Sequence, residues 1–365
     1  MRLLLKLEAY GITGNLLKWI KSFLSGRTQR VVVNGIPSST SEVASGVPQG
    51  SVLGPVLFLL FVNDIPAIIQ SSTSQVKLFA DDTKIYSPIN THEDGKKLQA
   101  DLLKLVEWSH KWQLPFNQDK CKVIHYGRNN PCFDYYMSDE NKPIPVVEEE
   151  KDLGVTFDQK MKFSDHVDGI CASANRKLGV IKRTFSTMDK TGFMLLYKSI
   201  VRPSLEYCST VWHPYLKKDI TKIEKVQRRA TRQVKSLQHL SYEDRLKYLN
   251  LPSLNYRRHR CDMIQIFKMV HGLDELDPSH FFEIVSESRT RGHKYKIAKK
   301  KFNSKLRFCS FSQRVITEWN SLPSYVVESS SLNLFKSNLE KFWCSKRDKY
   351  NPDECFACPC SSTAV

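Results

Sequence analysis

Residues 75–87 constrain the fold of this chain more than any other segment, because they place two adjacent carboxylates between two strand-like runs. The segment is QVKLFADDTKIYS, and apolar and polar residues alternate on both sides of Asp81 and Asp82. This alternation predicts a β-hairpin with the carboxylates at its tip. Two such charges repel each other, so they either face solvent in an ordinary turn or share a cation. The pair alone does not decide between these alternatives, since Asp is common in turns.

Helices and short strands are mixed up to about residue 157, which predicts an α+β domain built on an antiparallel sheet. Apolar spacing indicates two helices around Gly11 and Gly14, and another that begins near Pro55. Further elements in this part are a helix at residues 92–112 and strands at residues 30–34, 122–126 and 152–157. Strands then nearly vanish, and helical spacing is found at residues 163–185, 191–212, 219–236 and 255–271.

The positive charge of the chain is concentrated in its second half. The chain holds 55 Lys and Arg against 38 Asp and Glu, which gives a net charge of +17. Residues 1–110 hold 11 basic and 9 acidic residues, a net of +2, whereas residues 201–310 hold 24 and 11, a net of +13. This excess favours an anionic partner, most simply a nucleic acid. A hydrophobic share of 41% excludes wholesale disorder.

The apolar and cysteine-bearing segments predict an intracellular protein. The longest apolar run, residues 52–62, is too short to span a membrane, and residues 1–10 do not resemble a secretory signal. The 10 Cys therefore indicate free thiols in the nucleus or cytoplasm, with no secretion. In the tail, Cys355, Cys358 and Cys360 lack a fourth ligand at a usual spacing, so they match a zinc site poorly.

A second motif precedes the hairpin. Residues 46–51 are GVPQGS, followed by Leu53-Gly54-Pro55 and an apolar helix. An ordinary loop and helix start would explain this stretch. Small residues also allow a backbone to approach a ligand closely, and Gln49 between Pro48 and Gly50 is suited to face a nucleotide. The two motifs, in this order, are more specific than either is alone.

Taken together, these motifs resemble the palm of a reverse transcriptase of the non-LTR (LINE-type) retrotransposon class. The resemblance rests on residues 46–55, on Phe79-Ala80-Asp81-Asp82 and on Asn117-Gln118-Asp119-Lys120. It continues at Leu153-Gly154-Val155 and, less specifically, at FSQR (311–314) and WNSLP (319–323). The resemblance covers most of the chain, from about residue 10 to about residue 340.

The resemblance implies an RNA-directed DNA polymerase that uses Mg²⁺ or Mn²⁺, an RNA template, a DNA primer and deoxynucleoside triphosphates. It implies that Asp81 is the principal metal ligand, that Asp82 is its auxiliary, and that Lys120 lies near the triphosphate. Without the resemblance, Lys120 would be interpreted as a solvated surface lysine. The positions implied to line the nucleotide and template are Pro48, Gln49, Gly50, Phe79 and Ala80.

The resemblance also implies a division of the chain into four parts. These are a partial palm (1–157), a helical thumb or connection (158–240), a basic helical region (241–345) and a loose Cys-bearing tail (346–365). In the family, an Asp-bearing strand precedes the segment that matches residues 10–12, and no such strand is found here. We therefore expect a truncated element that lacks the first catalytic aspartate, the fingers and the endonuclease, and that is inactive as a polymerase alone. The alternative is a non-catalytic remnant that binds RNA or DNA.

The basic half supplies candidate nucleic-acid contacts. Its candidate phosphate ligands are Arg228, Arg229, Arg232, Arg257, Arg258, Arg260, Lys299, Lys300 and Lys301. Its candidate base-stacking residues are Tyr256, Tyr295, Phe302 and Phe308. Solvated helix faces with buried aromatic side chains are the alternative interpretation. No protein partner is indicated by the sequence.

Overall fold

A computed structural model describes residues 2–69, 73–138, 142–185, 187–285, 292–302 and 304–354. The chain forms two compact units, Met1–Glu148 and Glu149–Val365. The fold mixes helices with small antiparallel sheets, as the α+β prediction requires. The four-part division stays a prediction.

The first unit is built from five helices and three two-stranded sheets in its described residues. Its helices are α1 (Arg2–Ala9), α2 (Gly14–Leu24), α3 (Leu53–Val62), α4 (Ile65–Ile68) and α5 (His92–Trp112). Its strands are β1 (Thr28–Gln29), β2 (Val32–Val33), β3 (Ile36–Pro37), β4 (Ser41–Glu42), β5 (Gln75–Phe79) and β6 (Asp82–Tyr86). The pairs are β1 with β4, β2 with β3 and β5 with β6, all antiparallel.

Helix α5 has the bounds that the sequence predicts, because its start is encoded locally. Thr91 and Asp94 form a capping box, in which each side chain bonds the backbone of the other residue. Apolar residues of α5 then pack with Val62, Ile65 and the inner face of the β5–β6 hairpin. The predicted strand at residues 122–126 is wrong, since only Val123 forms an isolated bridge there.

The second unit is almost entirely helical. After a hairpin of β7 (Glu149–Asp152) and β8 (Val155–Asp158), its long helices are α6 (Ser164–Thr184), α10 (Lys217–Thr231), α12 (Leu254–Val270) and α17 (Leu332–Cys344). Its shorter helices are α7 (Lys190–Leu196), α8 (Arg202–Glu206), α9 (Ser209–Trp212), α11 (Tyr242–Leu249), α13 (Lys305–Cys309), α14 (Phe311–Arg314), α15 (Ile316–Ser321) and α16 (Ser324–Val327). A π-helical turn, Tyr197–Val201, joins α7 to α8.

The Leu153-Gly154 pair forms the turn of the β7–β8 hairpin. Both residues have positive φ (45° and 87°), as a two-residue hairpin loop with tight right-handed strand twist requires. The hydroxyl of Tyr207 donates to the Leu153 carbonyl at 3.0 Å, and its ring would lie 3.2 Å from a Cβ at position 154. The single strand predicted at residues 152–157 is therefore wrong, because a turn interrupts it.

Two hydrophobic clusters lie in the described part of the second unit. One contains buried residues from Val155 to Leu254, with Trp212 fully buried, and the other contains residues from Tyr256 to Trp343. Some residues of the predicted tail, within 346–354, contact the start of α12. Ser253 donates its N–H to the Lys349 carbonyl at 2.8 Å, and Asn255 donates to the carbonyls of Pro352 and Glu354. The three tail cysteines, Cys355, Cys358 and Cys360, lie outside the described residues.

Candidate active site

The β5–β6 hairpin places Asp81 and Asp82 where the sequence predicts them. Phe79 pairs with Asp82 at the end of the ladder, so Ala80 and Asp81 form the two-residue loop. Ala80 has a φ of 52°, a left-handed conformation that costs a residue with a Cβ about 1 kcal/mol. Both carboxylates are exposed. The tip therefore presents oxygen ligands of the kind that hard divalent cations prefer.

One face of this hairpin is anchored and the other is open. Val76, Leu78 and Ile85 pack against the cluster of α3, α4 and α5, which fixes the register of the strands. The opposite face carries Asp82 beside Phe79, whose side chain is 64% exposed. The packed face thus holds the carboxylates in a defined direction.

The GVPQGS loop is held at its ends while Gln49 stays exposed. Gly46 and Gly50 have φ values of 87° and 79°, which favour glycine. The Ser51 hydroxyl donates to the Pro48 carbonyl at 2.7 Å and accepts from the Gly54 N–H at 3.0 Å. A Cβ at Gly54 would lie 2.9 Å from that same carbonyl oxygen, so the motif requires glycine there for close packing.

Lys120 ends a 3₁₀ turn, Gln118–Lys120, whose start is capped by the Asn117 side chain. Its side chain is exposed. Among the described residues, no hydrogen bond or ion pair joins Asp81, Asp82, Gln49 or Lys120 to one another. The roles of these residues therefore stay predictions. Nor does a third Asp, Glu, His or Cys of the described chain join Asp81 and Asp82 in a group of close ligand atoms.

Asp64, another acidic residue near the predicted palm motifs, forms an ion pair with a buried lysine. Lys6 of α1 is 5% exposed, and its ammonium lies 2.6 Å from the Asp64 carboxylate. The ammonium also lies 4.0 Å from the ring centroid of Trp112 and 4.6 Å from those of Phe61 and Trp108. Burial lowers the pKa of Lys6, and Asp64 opposes that effect. A lysine on the leucine-rich helix α1 is the sequence signal that points to this ion pair.

Three of the predicted phosphate ligands lie on the surface of α10 and its end. Arg228, Arg229 and Arg232 are exposed. Arg229 donates to the Asn175 side chain at 3.1 Å, and the Arg228 guanidinium lies 4.8 Å from the Tyr242 ring centroid. Neither contact neutralises a charge, so these arginines are available to an anion.

The phosphate contacts predicted for Arg257, Arg258 and Arg260 stay predictions, but none of these three side chains is fully exposed. Arg257 forms a two-bond ion pair with Glu206, and Arg260 pairs with Glu340 at 3.4 Å. Arg258 is 1% exposed, and burial lowers its pKa while Glu224 opposes the effect. The stacking role predicted for Tyr256 stays a prediction as well, but this ring is 1% exposed.

A buried polar network that the sequence did not reveal joins α9, α12 and α14. The Asp262 carboxylate accepts two hydrogen bonds of 2.9 Å from the Arg314 guanidinium and lies 2.9 Å from His213 Nδ1. Burial would raise the pKa of Asp262, but Arg314 and His213 outweigh it and lower the pKa. Burial also lowers the pKa of His213 to about 4. Asp262 is thus ionised and neutral His213 donates to it.

Three residues of this network are of types that ligate metals, but their surroundings do not suit a metal ion. One potential ligand atom from each of His213, His259 and Asp262 lies within 4.8 Å of the others. Both carboxylate oxygens of Asp262, however, are occupied by the guanidinium of Arg314. A cation there would displace these bonds and lie beside a fixed positive charge. The cluster is therefore a structural ion pair.

Comparison with known proteins adds a decisive observation to this geometry. Residues 2–162 match the family model described as "Reverse transcriptase (RNA-dependent DNA polymerase)". This match spans less than half of the chain, and it shows that the segment is similar to reverse transcriptases. The matched segment contains both the GVPQGS loop and the Asp81-Asp82 hairpin tip.

Several relatives are transposon proteins. The chain is 29% identical over 225 residues to the "Probable RNA-directed DNA polymerase from transposon X-element" of Drosophila melanogaster, which covers 58% of this chain and 24% of the relative. It is also 29% identical to the RNA-directed DNA polymerase from mobile element jockey of the same species, over 59% of this chain and 24% of the relative. A type-1 retrotransposable element R1 2 polyprotein of Nasonia vitripennis is 25% identical, over 47% and 44%. The chain thus spans about a quarter of the length of the first two relatives.

None of the helices in the described part of the chain is both long enough and apolar enough to cross a membrane.

Proposed function

We propose that this chain is part of the RNA-directed DNA polymerase of a non-LTR retrotransposon, with Asp81 and Asp82 as its metal-binding carboxylates. The observation that supports this proposal is the exposed pair at the tip of an anchored hairpin, inside a segment that matches the reverse transcriptase family model. The proposed substrates are deoxynucleoside triphosphates, with an RNA template and a DNA primer. The proposed cofactor is Mg²⁺ or Mn²⁺.

The donor set at the tip fits such a cation, because Asp81 and Asp82 offer hard, exposed oxygen ligands. When bound, divalent cations lower the pKa of the attacking hydroxyl and neutralise charge on the leaving pyrophosphate. The chain's own contribution is to hold the two carboxylates in a fixed direction through the packed face of the hairpin. The exposed Gln49 and Lys120 are proposed to contact the nucleotide.

We also propose that this chain by itself binds template without extending a primer. A two-metal site is held by several shared ligands, and the described residues bring no third acidic, His or Cys ligand to Asp81 and Asp82. A second candidate function follows, that of a nucleic-acid-binding protein without catalysis. The exposed Arg228, Arg229 and Arg232 favour it, because no ion pair within the described residues neutralises their charges.

Primer extension on poly(rA) with oligo(dT) and Mg²⁺ or Mn²⁺ tests the catalytic half of the proposal. The purified chain is compared with Asp81→Ala and with Asp168→Asn, a surface control on α6. We expect no incorporation from any of the three. If the parent chain incorporated nucleotides and Asp81→Ala did not, the proposed inactivity would be refuted. The metal ligands of this chain would then suffice for catalysis.

Electron paramagnetic resonance of Mn²⁺ tests the metal-binding half separately. We expect the chain to bind Mn²⁺ weakly, and we expect Asp81→Asn together with Asp82→Asn to remove that binding. Unchanged Mn²⁺ binding in the double variant would refute the site. Absence of Mn²⁺ binding in the parent chain, together with retained RNA binding, would leave the non-catalytic function.

A further inference from the structure

Residues 293–297, within the lysine-rich segment 292–302, are held by a tryptophan and an asparagine of α15. The Trp319 indole N–H donates to the Tyr295 carbonyl at 2.8 Å. The Asn320 side chain accepts from the Ile297 N–H at 2.9 Å and donates to the Ile297 carbonyl at 2.8 Å. His293 Nε2 also lies 3.1 Å from the Trp319 carbonyl. Three alternate residues of the segment are thus tied to two consecutive residues of one helix.

A second attachment comes from the opposite side. Ile284 and Ile297 form an isolated antiparallel bridge. The Val285 N–H donates to the Lys296 carbonyl at 2.8 Å, and the Ala298 N–H donates to the Glu283 carbonyl at 2.8 Å. The backbone from 293 to 298 is consequently fixed on both sides.

This anchoring directs positive charge to solvent. His293 and Ile297 are buried at 1% and 2% exposure, whereas Lys294 between them is exposed. Lys299, Lys300 and Lys301 follow and are all exposed. Lys299 and Lys301 have no ion-pair partner in the part of the chain that the structure describes. Lys300 lies 3.5 Å from Glu283, but both side chains are more than half exposed, so the pair is weak.

An aromatic surface adjoins these lysines. The Phe302 side chain is 37% exposed, and its ring centroid lies 5.3 Å from that of Phe308. Exposed aromatic rings beside a row of cations suit unpaired bases, which stack on the rings while phosphates meet the lysines. A duplex hides its base faces and cannot use the rings.

We propose that Lys299, Lys300, Lys301 and Phe302 form a binding strip for single-stranded nucleic acid, and that Trp319 and Asn320 are its positioning residues. The inference rests on the proposed nucleic-acid function for the class of partner, but it needs no polymerase activity. It also assigns a role to the WNSLP motif, whose first two residues anchor residues 293–297, directly before the strip.

The test is fluorescence anisotropy of the full chain with a labelled oligouridylate, across a salt titration. The triple variant Lys299→Ala, Lys300→Ala, Lys301→Ala should bind about 50-fold more weakly at physiological salt, and its log–log salt slope should be smaller by about 2. The matched control, Lys18→Ala, Lys96→Ala, Lys97→Ala, removes the same charge from exposed positions of the first unit. An equal loss in both triple variants would overturn the strip in favour of a general charge effect.

Phe302→Leu keeps an apolar side chain but removes the stacking ring, and it should weaken single-strand binding about fivefold. Binding of a duplex of the same length should not change. A variant that binds the single strand as tightly as the parent chain would overturn the stacking role.

Asn320→Ala removes no charge, so it should weaken binding about 3- to 10-fold with an unchanged salt slope, because the strip is no longer preorganised. In the lysine triple background the same substitution should have little further effect. An equal effect in both backgrounds would show a general structural role and overturn the positioning role.

The remaining outcomes also separate the inference from the proposed function. Parent binding that the lysine triple does not reduce would overturn the strip and leave nucleic-acid binding elsewhere on the chain intact. Absence of binding by the parent chain would refute both. If the lysine triple variant lost binding to phosphatidylserine vesicles but bound oligouridylate as the parent chain does, the inference would be overturned in favour of a lipid surface.

Discussion

Asp262→Asn should destabilise the second unit severely, because it removes the negative charge from a buried ion pair and keeps its shape. Asp262 is 1% exposed and Arg314 is 11% exposed. The substitution replaces one carboxylate oxygen by an NH₂ group that faces the Arg314 guanidinium, so two donors meet and the buried cation loses its partner. Breaking a buried pair in this way costs about 3–5 kcal/mol. For a unit of this size, that loss lowers Tm by about 10 °C.

Differential scanning calorimetry of the full chain measures this effect, with Asp168→Asn as the matched control. Asp168 forms an ion pair with Lys222, but the two side chains are 54% and 42% exposed. Solvent screens such a pair, so its loss should cost less than about 1 kcal/mol. Similar small shifts in Tm for the two variants would refute the claim that burial determines the strength of the Asp262 network.

A double-mutant cycle distinguishes the charge effect from a packing effect. Arg314→Met alone should be destabilising, because it leaves the Asp262 carboxylate buried without its cation. In the Asp262→Asn background, Arg314→Met should lower the free energy of unfolding by less, because it then removes a guanidinium that has already lost its carboxylate partner. Additive effects on the free energy of unfolding would contradict this account.

Three further predictions concern other parts of the chain. Gly54→Ala should destabilise the first unit by about 1–3 kcal/mol in urea unfolding, because its Cβ would lie 2.9 Å from a carbonyl oxygen. Gly169→Ala, with nothing within 4 Å, should not destabilise. Asp64→Asn should cost about 2 kcal/mol by leaving buried Lys6 without its counter-charge, which hydrogen exchange of α1 measures. The pKa of His213 is about 4 in the fold against 6.5 ordinarily, so the unfolded chain binds the extra proton between these values. The free energy of unfolding should therefore fall by up to about 1.4 kcal/mol for each pH unit between pH 6.5 and pH 4. His213→Gln should reduce this pH dependence, which urea titrations at several pH values measure.

The sequence predicted well the elements whose signals are local. The hairpin of β5 and β6 follows from strict alternation around Asp81 and Asp82, since the side-chain period of a strand is two. The bounds of α5 follow from the Thr91 cap and a regular apolar stripe. The strand predicted at residues 152–157 failed because positive φ at Leu153, a non-glycine residue, has no reliable sequence signal.

The arginines predicted to contact nucleic acid differ in exposure, for a geometric reason. Consecutive helical residues point about 100° apart, so Arg257 and Arg258 cannot share one face. Which of them faces the core depends on where Glu206 and Glu224 lie, and these residues are distant in sequence. Net charge therefore indicated a polyanion partner for the region, although it could not identify the arginines that remain available.

The sequence by itself determined helix α5, the carboxylate pair at a hairpin tip and the basic character of the second half, because each depends on neighbouring residues or on composition. Tertiary structure alone decided which charges are buried and paired, as for Lys6 with Asp64 and Asp262 with Arg314. These pairs join residues more than 50 positions apart, and burial is a property of the packed chain. The same reason explains why the anchoring of the lysine segment by Asn320 became visible only in the fold.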